Sequence, residues 1–429
     1  MSEAVRNGSE PEQTPFEMQR FSVLSLRTLR LTSPTRTRRG SIVMFVAMAV
    51  LVVGACLALV FDRLWLDAAQ VELQAAAEAA ALAGAGQLAS DARLNPKSID
   101  LATPAREAAI AIAQKNFSVG APVELQSGEQ GDVQVGTIEM SPETGESIFV
   151  ADTERPTTCV VKAARLRSRG NPVALLIRTA SGRSSGDAQA FAEASVDNRI
   201  IGVQPSDNSP VPALPLAILH THVDPRRPDT WQRQIEMRFG PDRYGYDAAT
   251  GSVTAGPDGI PEILLHTASP SADKDDAAKV NLLTINIGNG LHESQVASQV
   301  KTGWTVKHLK NFGEEFRTDQ GPQTLDADAS LVGPVQDELQ QLVGQSRICG
   351  LYTNHQITSH TLGHAAIVNL VGIRVLSIED AGGQSLHITV QPAVIATRTA
   401  LLTTHDAAWM SGDSSEKTNP YIYKLFLSH

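Results

Sequence analysis

A run of 21 residues without a charged side chain, Ser41–Phe61 (SIVMFVAMAVLVVGACLALVF), constrains this chain more than any other feature. A helix needs about 20 apolar residues to cross the hydrocarbon core of a bilayer. It can sit there because its backbone groups bond to one another. The run exceeds the roughly 7–15-residue apolar region of a cleaved signal peptide and follows a polar leader. It is apolar on every side, which is unusual for a buried globular helix of this length. The expectation is a transmembrane helix over 41–61. Arg27, Arg30, Arg36, Arg38 and Arg39 precede it; Asp62, Asp67, Glu72 and Glu78 follow, with Arg63 alone among them. By the positive-inside rule the N-terminus stays cytoplasmic. The chain is therefore expected as a single-pass protein of the inner (cytoplasmic) membrane, with its bulk periplasmic or otherwise outside the cytoplasm. Arg38, Arg39, Gly40, Ser41, Phe61 and Asp62 are its anchor and orientation residues.

The segments on either side differ in kind. Residues 1–40 are polar, with Pro11, Pro15 and Pro34, and are expected as a disordered cytoplasmic tail. After the span, Asp62–Ser90 contains no proline, and its first glycine is Gly84. Alanine, leucine, glutamine and glutamate dominate it, and all are strong helix formers. The helix is expected to continue straight out of the membrane to Ala83, about 65 Å from Ser41 at 1.5 Å per residue. Gly84 and Gly86 are expected to end or loosen it. Thr103–Asn116 predicts a second helix, capped by Thr103 with Pro104 at the first helical position.

Beyond that helix the period changes. Asp132–Ile138, Glu146–Ala151, Thr158–Ala164, Ala174–Thr179 and Ala188–Val203 read as strands of a small antiparallel sheet. Residues 204–213 (QPSDNSPVPA) read as a linker. Further on, Tyr246–Thr254 predicts a hairpin at Thr250-Gly251. Val280–Ile287 predicts a strand and Gly333–Gly344 an amphipathic helix. Ala366–Ile378 and Ser385–Ala396 predict two strands joined at Ala381-Gly382-Gly383. The expected fold is α+β: a transmembrane helix continuing into a long Ala-rich helix, then two mainly antiparallel-β regions. The expected parts are a helix-plus-sheet domain over 62–203, the linker, and a mainly β envelope domain over 214–429.

Charge narrows the partners. The chain is 429 residues long with a net charge of -10, which argues against nucleic acid. Its basic excess lies in residues 1–40, with seven Arg against four acidic residues. Three cysteines give no disulfide framework; Cys159 and Cys349 could meet in an oxidising compartment, which sequence alone does not decide.

Arg38-Arg39-Gly40-Ser41, the apolar run, Phe61-Asp62-Arg63, and the stretch from Leu73 to Ala85 (LQAAAEAAALAGA) together resemble the TadE/TadG-like family of Flp-pilus assembly proteins. The alanine-rich continuation is the more specific part. Tyr246–Glu262 and Val335–Tyr352 are similar to stretches of the longer TadG-like envelope proteins. The resemblance implies a membrane-tethered component or relative of a tight-adherence pilus system. The chain departs from the pattern twice. Pilin-like members carry a Glu five residues after the processing Gly, whereas Phe45 stands there after Gly40. Many TadG proteins carry a von Willebrand A domain with an Asp-x-Ser-x-Ser site, which this sequence lacks.

Few residues suggest chemistry. Leu219-His220-Thr221-His222-Val223-Asp224 has the look of a metallohydrolase His-x-His opening, so a metal-dependent envelope hydrolase using His220 and His222 is the main alternative. His360 and His364 have zinc spacing but lack the Glu of His-Glu-x-x-His. Asp258–Glu262 resembles a calcium loop with too few oxygen ligands. A surface or carbohydrate-binding module is the third reading, and an aromatic content of 5% speaks against it. The expectation is an assembly protein rather than an enzyme, with no cofactor, no metal and no small-molecule substrate. Its partners are the membrane and other envelope or pilus-assembly proteins. Ala76, Glu78 and Ala80 are expected to mark either a partner-contact helix, because small side chains let helix backbones approach closely, or a helix that covers the chain's own sheet.

Overall fold

A computed structural model describes residues 40–95, 100–128, 130–141, 146–177, 182–237, 240–403 and 418–428. The expected tail 1–39, with Arg38 and Arg39, lies outside the described residues. The described residues form two units that divide after Leu57.

Helix α1 runs over Gly40–Leu88. From Ile42 to Leu57 every residue is exposed, as a lipid-facing helix requires. From Ala58 one face is buried: Ala69, Leu73, Ala76, Ala77, Ala80, Ala81 and Ala85 belong to a single core. Gly84 does not end the helix. A methyl group there would lie 2.5 Å from Cys159 Sγ and 3.1 Å from the Ala105 carbonyl, so glycine permits a close crossing. The helix ends four residues later, where Arg93 donates to the Leu88 and Pro156 carbonyls. Lys and Arg near a helix end commonly satisfy its last carbonyls in this way.

Helix α2 covers Ala102–Lys115 and buries Ala102, Ala105, Ala109 and Ala113 in the same core. Its cap is Asp100 rather than Thr103. The Asp100 carboxylate accepts the Ala102 and Thr103 N–H groups at 2.9 and 3.0 Å. The aspartate reaches two of the unpaired first-turn donors, and Thr103 falls inside the helix.

The sheet over these helices is built from β1 (Val133–Met140), β2 (Ser147–Ala151), β3 (Thr158–Arg165) and a later strand. A two-stranded hairpin of β4 (Val173–Ala174) and β5 (Ser185–Gly186) leads to β6 (Ala188–Asp197). Part of the expected strand Ala174–Thr179 lies outside the described residues. Along β6 the side chains alternate: Ala188, Ala190, Ala192, Ala194 and Val196 face the helices, while Gln189 and Phe191 are exposed. Alanine on both helix and sheet explains the close approach of the two layers.

Seven strands make the second sheet: β7 (Ala213–Leu219), β8 (Ile263–His266), β9 (Leu282–Ile285), β10 (Gln323–Asp328), β11 (Ser346–Ser359), β12 (Leu362–Gly382) and β13 (Ser385–Pro392). Their order is β8-β13-β12-β10-β9-β7-β11, and β11 pairs back with β12, so five strands close into a ring. Neighbours are antiparallel except for the parallel pair of β7 and β11. Helix α3 (Glu293–Thr302) buries Val296 and Val300 against one face. The expected hairpin is present, pairing Tyr244–Asp247 with Ser252–Ala255. The expected helix over Gly333–Gly344 is shorter, a tight turn at Gly333–Val335 followed by Gln336–Gln340.

The chain then returns to the first sheet. β14 (Ile395–Ala396) and β15 (Ile422–Ser428) complete it in the order β14-β15-β6-β3-β1-β2. The resulting architecture is α+β, a long apolar helix followed by mainly antiparallel sheets.

A partly buried ion pair ties the start of this outer region to the second sheet. Asp91 accepts from Arg374 at 2.6 Å and from the Val394 N–H at 2.6 Å. The Arg374 guanidinium also donates to the Gly344 carbonyl and stacks on the Tyr246 ring. Cys159 and Cys349 are free and buried in separate cores.

Candidate membrane-proximal contact site

The helix emerging from the apolar run has two faces with different chemistry. The inner face begins at Ala58 and Asp62, which are only 4% exposed each. The Asp62 Oδ1 accepts the Ile177 N–H at 3.0 Å. One turn on, Trp65 Nε1 donates to the Ala174 carbonyl at 3.1 Å. Leu66 fills the space beside Gly186, where a methyl group would lie 2.6 Å from it. Further along, Ser118 donates to the Ala69 carbonyl, and Glu72 accepts the Val119 N–H at 2.6 Å. Gln74 donates to Glu78 at 2.8 Å and to the Phe191 carbonyl at 3.1 Å. The first helical turns outside the apolar run are thus held by the β4–β5 hairpin and the segment leaving it.

This arrangement corrects the sequence reading of Ala76 and Ala80. Both are wholly buried in the chain's own core and offer no surface to a partner. The small side chains serve the close crossing of the helix over an alanine-faced sheet. Glu78 is half-buried and lines a cleft of about 340 Å³ with Gln74, Phe149, Phe191 and Glu193.

The outer face was not singled out by composition, because alanine occurs all round the helix. It carries Phe61, Leu64, Ala68, Val71 and Ala75, all exposed, with Leu64 at 58% and Val71 at 69%. Their spacing alternates four and three residues, the a/d pattern of a helix that meets another helix. That periodicity was the signal available in the sequence.

Elsewhere the sequence candidates do not assemble. His220 follows β7, and its N–H donates to the Tyr352 carbonyl at 2.7 Å. Burial holds its imidazole below the usual histidine range. The His222 Nδ1 accepts the Asp224 N–H at 3.0 Å, a local turn. His364 lies on β12 beside Asp326 at 3.1 Å, and His360 sits at the turn before β12 with φ 47°. Among the described residues no group of three His, Cys, Asp or Glu side chains is placed to hold a metal ion. Burial pushes the Cys159 thiol up to about 12, so it is not a nucleophile at neutral pH. A second cleft of about 500 Å³ is lined by Thr158, Ser195 and Ser428, whose hydroxyls are hydrogen-bonded to one another. Among its described lining residues no imidazole stands by to activate them.

Comparison with known proteins supplies one match. Residues 40–87 match the family described as Putative Flp pilus-assembly TadE/G-like. No curated protein and no solved structure matches the chain. The match covers the apolar run and the two-faced helix and stops one residue before α1 ends. Over residues 40–87, therefore, this chain is similar to the TadE/G-like Flp pilus-assembly family.

Proposed function

We propose that this protein is a non-catalytic assembly protein of the cell envelope, anchored by residues 41–61 with its N-terminus cytoplasmic and its sheets outside. Its partners are other membrane-anchored envelope proteins, met along the outer face of α1. The observation that carries this reading is the exposed row Leu64, Ala68, Val71 and Ala75 on a helix whose other face is already covered. Val71, farther along the helix than the headgroup layer reaches, is an exposed apolar side chain that is costly in water unless a partner takes it. Glu78 and Gln74 lie at the far end of that row and supply its polar limit. The match to a pilus-assembly family over this same helix supports an assembly role.

The experiment is co-purification from detergent-solubilised membranes. A Leu64→Glu, Val71→Glu double variant is expected to lose its co-purifying proteins while unfolding at the parent's temperature. Unchanged co-purification refutes the contact face. Topology is tested separately by adding protease to spheroplasts. Digestion of the sheets with the tail spared is expected; digestion of the tail alone reverses the orientation.

A further inference from the structure

The segment leaving β4 carries Leu175, Leu176 and Ile177. Leu175 is buried, whereas Leu176 is 57% exposed. Two hydrogen bonds fix the height of this segment along α1. Ala174 is tied to Trp65 and Ile177 to Asp62, so the chain from 174 to 177 runs toward the end of the apolar run. On the far side of the hairpin, Gly186 is packed on Leu66. Leu176 therefore stands level with residues 62–65 of the helix.

That level has a defined chemistry. The headgroup layer of a bilayer is roughly 5–7 Å thick on each side of the hydrocarbon core. At 1.5 Å per residue, the stretch from Asp62 to Leu66 spans about 6 Å. The first turn and more beyond Phe61 thus lies among headgroups, and Trp65 is a residue type enriched there. The bonds from Ile177 to Asp62 and from Trp65 to Ala174 consequently bring the outer region to the helix at the membrane surface. Leu176, a leucine 57% exposed at this height, has the headgroup layer as its neighbour.

We propose that Leu176 is a second membrane contact, inserted into the outer headgroup layer of the bilayer that α1 crosses. The surface it fits is lipid rather than protein, because the bonds to Asp62 and Trp65 hold it at the height of the headgroup layer. The inference rests on the reading of residues 41–61 as the anchor. Its role is to hold the first sheet against the membrane, so that the outer face of α1 is presented in one orientation.

The test uses the full chain reconstituted in phosphatidylcholine–phosphatidylglycerol vesicles. Cys56→Ala removes the exposed thiol; Cys159 and Cys349 are buried. Leu176→Cys is labelled with an environment-sensitive fluorophore and quenched by lipids bearing a nitroxide at the headgroup. Phe61→Cys reports the span, and Val223→Cys, at 94% exposed, reports water. Quenching at Leu176 is expected to match Phe61 and to exceed Val223 at least two-fold. Quenching equal to that at Val223, with Phe61 quenched, overturns the lipid contact and leaves the anchor intact. Failure at Phe61 as well overturns the anchor. If the labelled protein misfolds by circular dichroism, a Leu176→Trp variant with brominated lipids reads the same depth, and the same two outcomes decide.

Discussion

The two halves of α1 share one backbone conformation and differ in what surrounds them. From Ile42 to Leu57 every side chain is exposed, including Phe45 at 73% and Leu51 at 73%. From Ala58 to Leu88 one face is largely buried while the other remains open. In the first half large aliphatic side chains are tolerated all round because lipid tails are as apolar as they are. In the second half the neighbours are water on one side and a β-sheet on the other. Size is then restricted on the sheet side, where alanine and Gly84 predominate. Composition thus tracks the solvent of each half, and the change falls at Phe61-Asp62.

The largest expected break in this comparison is at Leu73, which with Leu88 is one of two fully buried leucines in the second half. Leu73→Ala should cost about 2–5 kcal/mol through lost transfer energy and a residual cavity. Urea unfolding of the detergent-solubilised chain reads it, and a loss under 1 kcal/mol would show that the face is not tightly packed. In the first half a charge should act on insertion instead. Val50→Arg places a guanidinium near the middle of the span, at about 2.5–3.5 kcal/mol on insertion scales. The membrane-bound fraction should fall while the sheets stay folded; an unchanged fraction contradicts the span.

Gly84→Ala gives a smaller effect. The added methyl meets Cys159 and the Ala105 carbonyl, and overpacking of this kind costs about 1–3 kcal/mol. If glycine served only to loosen the helix end, alanine would stabilise the chain instead, so the sign of the change decides.

The smallest effect separates helix from sheets. Neither half of α1 contains histidine, whereas burial lowers the imidazoles of His266 and His355 in the outer region. These groups stay neutral in the fold, while the unfolded chain takes up protons near 6.5. Their contribution is present above that pH and is lost as pH falls toward the depressed folded values. The melting temperature of the sheets should therefore drop between pH 7.5 and 5.5, and His266→Gln with His355→Gln should flatten the slope. A slope unchanged by both substitutions assigns the acid sensitivity to other groups.

What sequence alone determined here is local. The span was legible because 21 uncharged residues have few other solutions, and the Ala-rich continuation because helix propensity sums over a long window. Strands with strong alternation or tight turns, such as β6 and the hairpin at Thr250-Gly251, were legible for the same reason. Tertiary structure decided which face of the helix the sheet would take. Alanine is small and apolar in every direction, so composition cannot tell a buried alanine such as Ala76 from an exposed one such as Ala75. It decided that Asp100 caps α2 and that Gly84 marks a crossing rather than an end. It also decided that β15 pairs with β6 from more than two hundred residues away, Ser195 meeting Ser428 at 2.9 Å. Such pairings rest on which edge is left open once the other strands have assembled, and no local pattern encodes that. The height of Leu176 beside Asp62 has the same origin, a contact between segments 115 residues apart.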